Sequence, residues 1–177
     1  MKAIITGRPG IGKSTVLKEV IKILQGNGWK VGGIICPEVR IDGRRVSFEI
    51  IDILSGDRGV LASVKGSGGP MVGRYYVNMS DLDRISLSAI SRSLEEADIT
   101  VIDEIGPMEM KSHLFRDMVT KALSGDKKMI AVVHWGLTRD IASKFRNLKL
   151  FEVTELNRNL VAHEITKYLL GGSFEPH

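Results

Sequence analysis

The string Gly7-Arg8-Pro9-Gly10-Ile11-Gly12-Lys13-Ser14 fits G-x-x-x-x-G-K-[ST], and its flanks give it structural meaning. Lys2 to Thr6 is a short apolar run that reads as a buried strand. From Lys13 to Leu24, the residues Leu17, Val20, Ile21 and Leu24 recur at helical spacing. Strand, glycine turn and helix in that order set the helix N-terminus, with its positive partial charge, against the turn. Glycines there let backbone N–H groups close around phosphate oxygens without Cβ collisions. Lys13 is expected to reach the β and γ phosphates of a nucleotide, and the Ser14 hydroxyl to ligate Mg²⁺. Thr15, next in the chain, can donate to the α phosphate. A glycine turn that merely capped a helix would leave Lys13 without a purpose.

Apolar runs and helical stripes alternate through the rest of the chain. Gly26 and Gly28 end the first helix, and Val31 to Cys36 reads as a strand. Arg40 to Leu54 alternates across Asp42-Gly43, a two-residue turn signal, and is expected to form a β-hairpin inserted on the main fold. Ser55 to Gly73 gathers Gly66, Gly68, Gly69 and Pro70 and reads as a mobile loop. Ser80 and Asp83 have the spacing of a capping box ahead of a stripe at Leu87, Ile90, Leu94 and Ala97. Ile99 to Ile102 is a short strand ending in Asp103-Glu104. Leu114, Phe115, Met118, Val119 and Ala122 mark a helix, and Met129 to Val133 a strand. Ile141, Ala142 and Phe145 suggest a short helix, Leu150 to Val153 a last strand, and Val161, Ile165, Tyr168 and Leu169 a final helix. Such alternation predicts an α/β fold, a mostly parallel sheet with helices on both faces. With 177 residues, 43% of them apolar, the chain matches one domain, placed at residues 1–170 with 171–177 as a flexible tail.

Candidate chemistry gathers around the second acidic feature. Beside a phosphate loop, a carboxylate at a strand end can hold the Mg²⁺ hydration shell, and Asp103 is the candidate. Glu104, directly after it, can deprotonate an attacking water. Asp103-Glu104-Ile105-Gly106 also matches the D-x-x-G string of regulatory GTPases. Their guanine-reading N-K-x-D string is absent, so a guanine-specific switch is not expected. His113, His134, His163 and His177 have no metal-ligand spacing. His134 follows a strand on the same end of the sheet as the phosphate loop, which suits γ-phosphate sensing, base contact or a structural role. Tyr75 and Tyr76 are open to either base stacking or strand packing. Three arginines are candidates to offset charge on the transferring phosphoryl group: Arg8 in the loop, Arg74 after the glycine-rich stretch, and Arg158 after the last strand. Arg158 ranks first; its alternative is a surface ion pair, with Asn157 capping the final helix.

Several classes are excluded. The 25 Lys and Arg against 21 Asp and Glu give a net charge of +4, but the basic residues are dispersed, so nucleic acid is not an expected partner. Apolar runs fall far short of the roughly 20 residues of a membrane span, and the N-terminal run is too short for a signal peptide. A single cysteine, Cys36, allows neither an intrachain disulfide nor a cysteine-cluster zinc site. A cytoplasmic location is expected.

Four segments together resemble the THEP-type nucleoside-triphosphatases, the family that includes the animal cancer-related nucleoside-triphosphatase. They are Thr6 to Thr15; Glu38-Val39-Arg40 with Gly43-Arg44-Arg45 and Phe48; Asp103-Glu104-Ile105-Gly106-Pro107-Met108-Glu109; and Val153-Thr154 with Asn157-Arg158. The resemblance runs from about Met1 to Leu170. It implies a P-loop domain with a RecA-like sheet and Mg²⁺-dependent hydrolysis of nucleoside triphosphates with broad base tolerance. By the same resemblance Gly7 to Thr15 form the nucleotide loop, Asp103 is the metal-side carboxylate and Glu104 the water-activating one. Pro107 departs from the pattern, since relatives often carry Lys there. A small-molecule or nucleotide kinase shares the loop and is the enzyme alternative; a nucleotide-gated RNA-binding module is the other.

Overall fold

The computed structural model describes residues 1–172, so positions 173–177 of the expected tail lie outside the described residues. In chain order the elements are β1 (Lys2–Thr6), α1 (Lys13–Gly26), β2 (Val31–Ile35), β3 (Glu38–Ile41), β4 (Arg44–Asp52), β5 (Arg58–Ser63), β6 (Met71–Val72), β7 (Tyr75–Val77), α2 (Met79–Glu96), β8 (Ile99–Ile105), α3 (His113–Ser124), β9 (Lys128–Val133), α4 (Thr138–Lys144), β10 (Leu148–Glu152) and α5 (Val161–Leu169). One sheet runs β10-β1-β9-β8-β2-β4-β5-β7-β6, with β3 paired to β4 off this path. From β10 to β2 every pairing is parallel, and every pairing beyond β2 is antiparallel.

The parallel strands are apolar on both faces because helices cover both. Ala3 and Ile5 of β1 pack with Val16, Leu17 and Val20 of α1 and Val161 and Ile165 of α5. Ile4 points the other way, into a cluster with Leu82 and Ile85 of α2 and Phe115 and Val119 of α3. That alternation is the period of two expected of a strand buried on both sides. Among the described residues no helix is long and apolar enough to cross a membrane.

The antiparallel half is larger than the hairpin read from sequence. Asp42 (φ 49°) and Gly43 (φ 74°) do form the turn, both with the positive φ that a tight two-residue hairpin needs. The stretch 55–73, expected as a loop, contains β5 and β6, so residues 38–77 build a five-stranded extension of the sheet. Glycine content hid these strands, while pairing with β4 and β7 supplies their hydrogen bonds. Tyr75 belongs to this extension and is not a base platform. Its ring is only 6% exposed and packs edge-on against Phe48, and its hydroxyl accepts from Arg45 Nε at 3.0 Å and Arg74 Nη2 at 3.2 Å. The capping box also differs from expectation. Asn78 caps α2 by accepting from Asp81 N–H at 3.1 Å, Ser80 lies within the helix, and the Asp83 carboxylate instead accepts from the hydroxyl of Ser112, the N-cap of α3.

Candidate active site

Chain direction brings the C-terminal ends of β1, β9, β8 and β2 to one edge of the sheet, where ligands bind in open α/β folds. On the acid-bearing side β9 is the neighbour of β1, and the Asp103 strand, β8, lies one further out.

The loop leaves β1 at Gly7 and enters α1 at Lys13. Gly7 is buried in close approach to β10; a Cβ there would lie 2.8 Å from Val153 O and 3.1 Å from the Ile11 side chain. Gly10 (φ 76°) and Gly12 (φ 111°) take conformations that L side chains rarely adopt, and space beside both is open. Lys13 folds back over this turn, its Nζ donating to Gly7 O at 2.9 Å and Arg8 O at 3.1 Å. Ser14 and Thr15 are exposed in the first turn of α1, where backbone N–H groups have no acceptor within the helix. Arg8 and Pro9 are exposed, and half-buried Ile11 anchors the loop to the core beside α1.

Asp103 and Glu104 lie within β8, which runs three residues beyond the predicted end. Val101 packs on the α1 side, and Asp103, two residues on, shares that face. The register with β9 shifts between Asp103 and Ile105. Ile105 thereby takes the place in the opposite core that regular alternation would have given Glu104, which is left half-buried at the site. Asp103, 7% exposed, accepts a hydrogen bond from the backbone N–H of Cys36 at the end of β2. Burial, then the Glu104 charge, pushes its carboxyl up to about 7, opposed by that N–H, Lys18 and Lys13. Burial also raises Glu104, against the pull of Lys13 and His134.

Three further residues complete this wall, and sequence reasoning gave none of them a role. Glu109 follows β8 in a short 3-10 turn and is 5% exposed; the visible signal was an acid flanked by Met108 and Met110. Gly106 separates the two glutamates: a Cβ on it would lie 2.7 Å from Glu104 Oε1 and 3.0 Å from Glu109 Oε2. The thiol of Cys36 is pushed well up, first by burial and then by Glu109 and Asp103, so it stays protonated among the acids.

The arginine candidates separate clearly. Arg74 is held in the extension by its bonds to Arg45 O at 2.6 Å and Tyr75 Oη at 3.2 Å. Arg158 is exposed in the turn after β10 and makes no ion pair among the described residues. Asn157 does not cap α5 with its side chain; it closes the 152–157 turn, accepting from Thr154 N–H and donating to Glu152 O, both at 2.8 Å. This turn lies against the phosphate loop, since Val153 N–H donates to Thr6 O at 2.8 Å.

Residues 2–166 match a family model described as NTPase. Nucleoside-triphosphatase THEP1 of Methanothermobacter thermautotrophicus is 48% identical over 161 residues, 91% of either chain. The Methanopyrus kandleri protein of the same name is 42% identical over 171 residues, 94% of either chain. Among solved structures, THEP1 from Aquifex aeolicus superposes with a TM-score of 0.82 at 31% identity, covering 96% of this chain and 99% of that one. A human cancer-related nucleoside triphosphatase superposes with a TM-score of 0.79 at 30% identity over 98% and 99%. On sequence, fold and the placement of loop and acids together, the chain belongs to this NTPase family.

Proposed function

We propose that this chain hydrolyses nucleoside 5′-triphosphates to the diphosphate and phosphate, with Mg²⁺ and with little preference among ATP, GTP, CTP and UTP. One observation carries the reading: Glu104, a half-buried carboxylate with no ion-pair partner among the described residues, feels the charge of Lys13 of the phosphate loop. A second carboxylate there has a use in water attack that simple nucleotide binding would not require.

The donors present fit Mg²⁺. One hydroxyl (Ser14) and one carboxylate (Asp103) are what this ion takes from proteins when phosphates and waters complete its shell. No cluster of three or more His, Cys, Asp and Glu able to hold a metal exists among the described residues. When bound, the ion supplies charge neutralisation on the β and γ oxygens. Lys13 exchanges its two loop carbonyls for phosphate oxygens. Glu104, whose raised proton affinity suits a base, takes the proton of the water that attacks the γ phosphorus; the bond to the bridging oxygen breaks, and the diphosphate leaves. Every residue assigned here contacts phosphate, water or metal. Nothing in that set reads a base edge, which is the basis for expecting broad tolerance.

Phosphate release from the four triphosphates, with Mg²⁺ and with EDTA, tests the reading. Comparable metal-dependent rates support it. Label passing to an added metabolite with no free phosphate would make the chain a kinase, and a base preference beyond about a thousandfold would reveal a reading site.

A further inference from the structure

His134 lies between the two halves of the site, and the reaction as derived leaves it unused. It follows β9, the strand between the loop-bearing β1 and the acid-bearing β8. On one side its backbone N–H donates to Ile105 O at 3.0 Å, just past Glu104. On the other, its carbonyl accepts from Thr138 Oγ1 at 3.3 Å, and that hydroxyl lies 2.7 Å from Thr6 Oγ1, next to Gly7. The half-buried imidazole accepts at Nδ1 from Gly136 N–H at 3.1 Å. A backbone N–H can only donate, so Nδ1 carries no proton and the neutral ring holds its proton on Nε2. Among the described residues the ring makes no other hydrogen bond, and it lies within electrostatic reach of Glu104.

Closing a short turn needs only the acceptor, which Asn, Asp or Ser supplies equally well. An imidazole adds a second polar atom on the far side of the ring, which the turn does not use. We propose that His134 donates Nε2–H to the γ-phosphoryl oxygens of bound nucleoside triphosphate, acting as a catalytic residue opposite Lys13. The assignment rests on the hydrolytic reading above and extends it: Lys13 and the loop grip the phosphate chain from one side, and His134 steadies the group in transfer from the other. A donor aimed at charge that builds in the transition state acts mainly on turnover.

Two substitutions separate this role from a structural one. His134→Asn keeps an acceptor near the Nδ1 position and deletes the far donor; His134→Gln keeps a donor at the reach of Nε2 and loses the cap. Expected for Asn are an unchanged melting temperature, a kcat lower by about 10²- to 10³-fold and a KM raised no more than about tenfold, with Gln recovering part of the rate. Calorimetry adds a readout that needs no turnover. Asn should weaken the imido analogue of ATP by about tenfold, the scale of one charge-assisted bond, and leave ADP unchanged. An Asn variant with wild-type kcat and wild-type affinity for the analogue overturns the proposal, as does equal weakening of analogue and ADP. Should the wild type release no phosphate, the hydrolytic reading fails, and the analogue-against-ADP comparison still decides on His134.

Discussion

Replacing Glu109 by Gln should make the protein more stable, and increasingly so as pH rises. Burial pushes this carboxyl up to about 8 from an ordinary 4.5; its own N–H and that of Gly106 hold it down, while the charges of Glu104 and Asp103 push it further. Between those two values the folded chain holds a proton that the unfolded chain has released. Stability therefore falls as pH rises through this window and is unaffected by Glu109 below it. The slope is at most about 1.4 kcal/mol per pH unit, so the whole window costs at most about 5 kcal/mol. Gln keeps the shape, keeps an oxygen to accept from Gly106 N–H, and does not titrate. Slopes due to Asp103 and Glu104 are present in both proteins and largely cancel in the difference. From pH 5 to pH 8 the variant should gain up to about 4 kcal/mol on the wild type, roughly 10 °C in melting temperature for a chain of this size. Thermal unfolding by circular dichroism at pH 5, 6, 7 and 8, at constant ionic strength with EDTA, measures it. A melting-temperature difference that stays constant across that range would refute the reasoning, because Glu109 would then ionise alike in both states.

Three other outcomes follow from the site. Lys13→Ala should abolish nucleotide binding, whereas Glu104→Gln should bind almost normally and lose about 10² to 10⁴ in kcat; unchanged turnover would remove Glu104 from the mechanism. Gly106→Ala, at a position without positive φ, should leave the melting temperature nearly unchanged because the Glu104 tip can swing away from the new methyl. The displaced carboxylate should cost about 10² in kcat, and a wild-type rate would show that its position does not matter. Arg158→Ala should lower kcat by about 10³ or more if this arginine offsets phosphoryl charge, with no change in melting temperature since it makes no ion pair among the described residues; a wild-type kcat sinks that role.

Local patterns settled much of this molecule. The loop string between an apolar run and a helical stripe specifies β1, the turn and α1, because φ at glycine and the exposed N-terminus of a helix are properties of a few neighbouring residues. Apolar runs at 31–36, 99–102 and 129–133 were legible as strands because burial on both faces favours apolar residues, and the strands span 31–35, 99–105 and 128–133. Other features exist only through partners distant in sequence. β5 and β6 are strands because β4 and β7 pair with them, and glycines alone read as loop. Tyr75 is a core residue because Arg45, Phe48 and Arg74 enclose it. Glu104 faces the site and not the core because β8 slips one residue against β9, a shift set by pairing between strands and invisible in either alone. The proton affinities of Asp103, Glu104 and Glu109 were equally hidden, since they depend on how much water the packed chain excludes and which charges it leaves nearby. Short-range geometry thus makes the loop and the candidate acids legible in the sequence, and the tertiary structure decides their direction and charge, because those arise where separate strands meet.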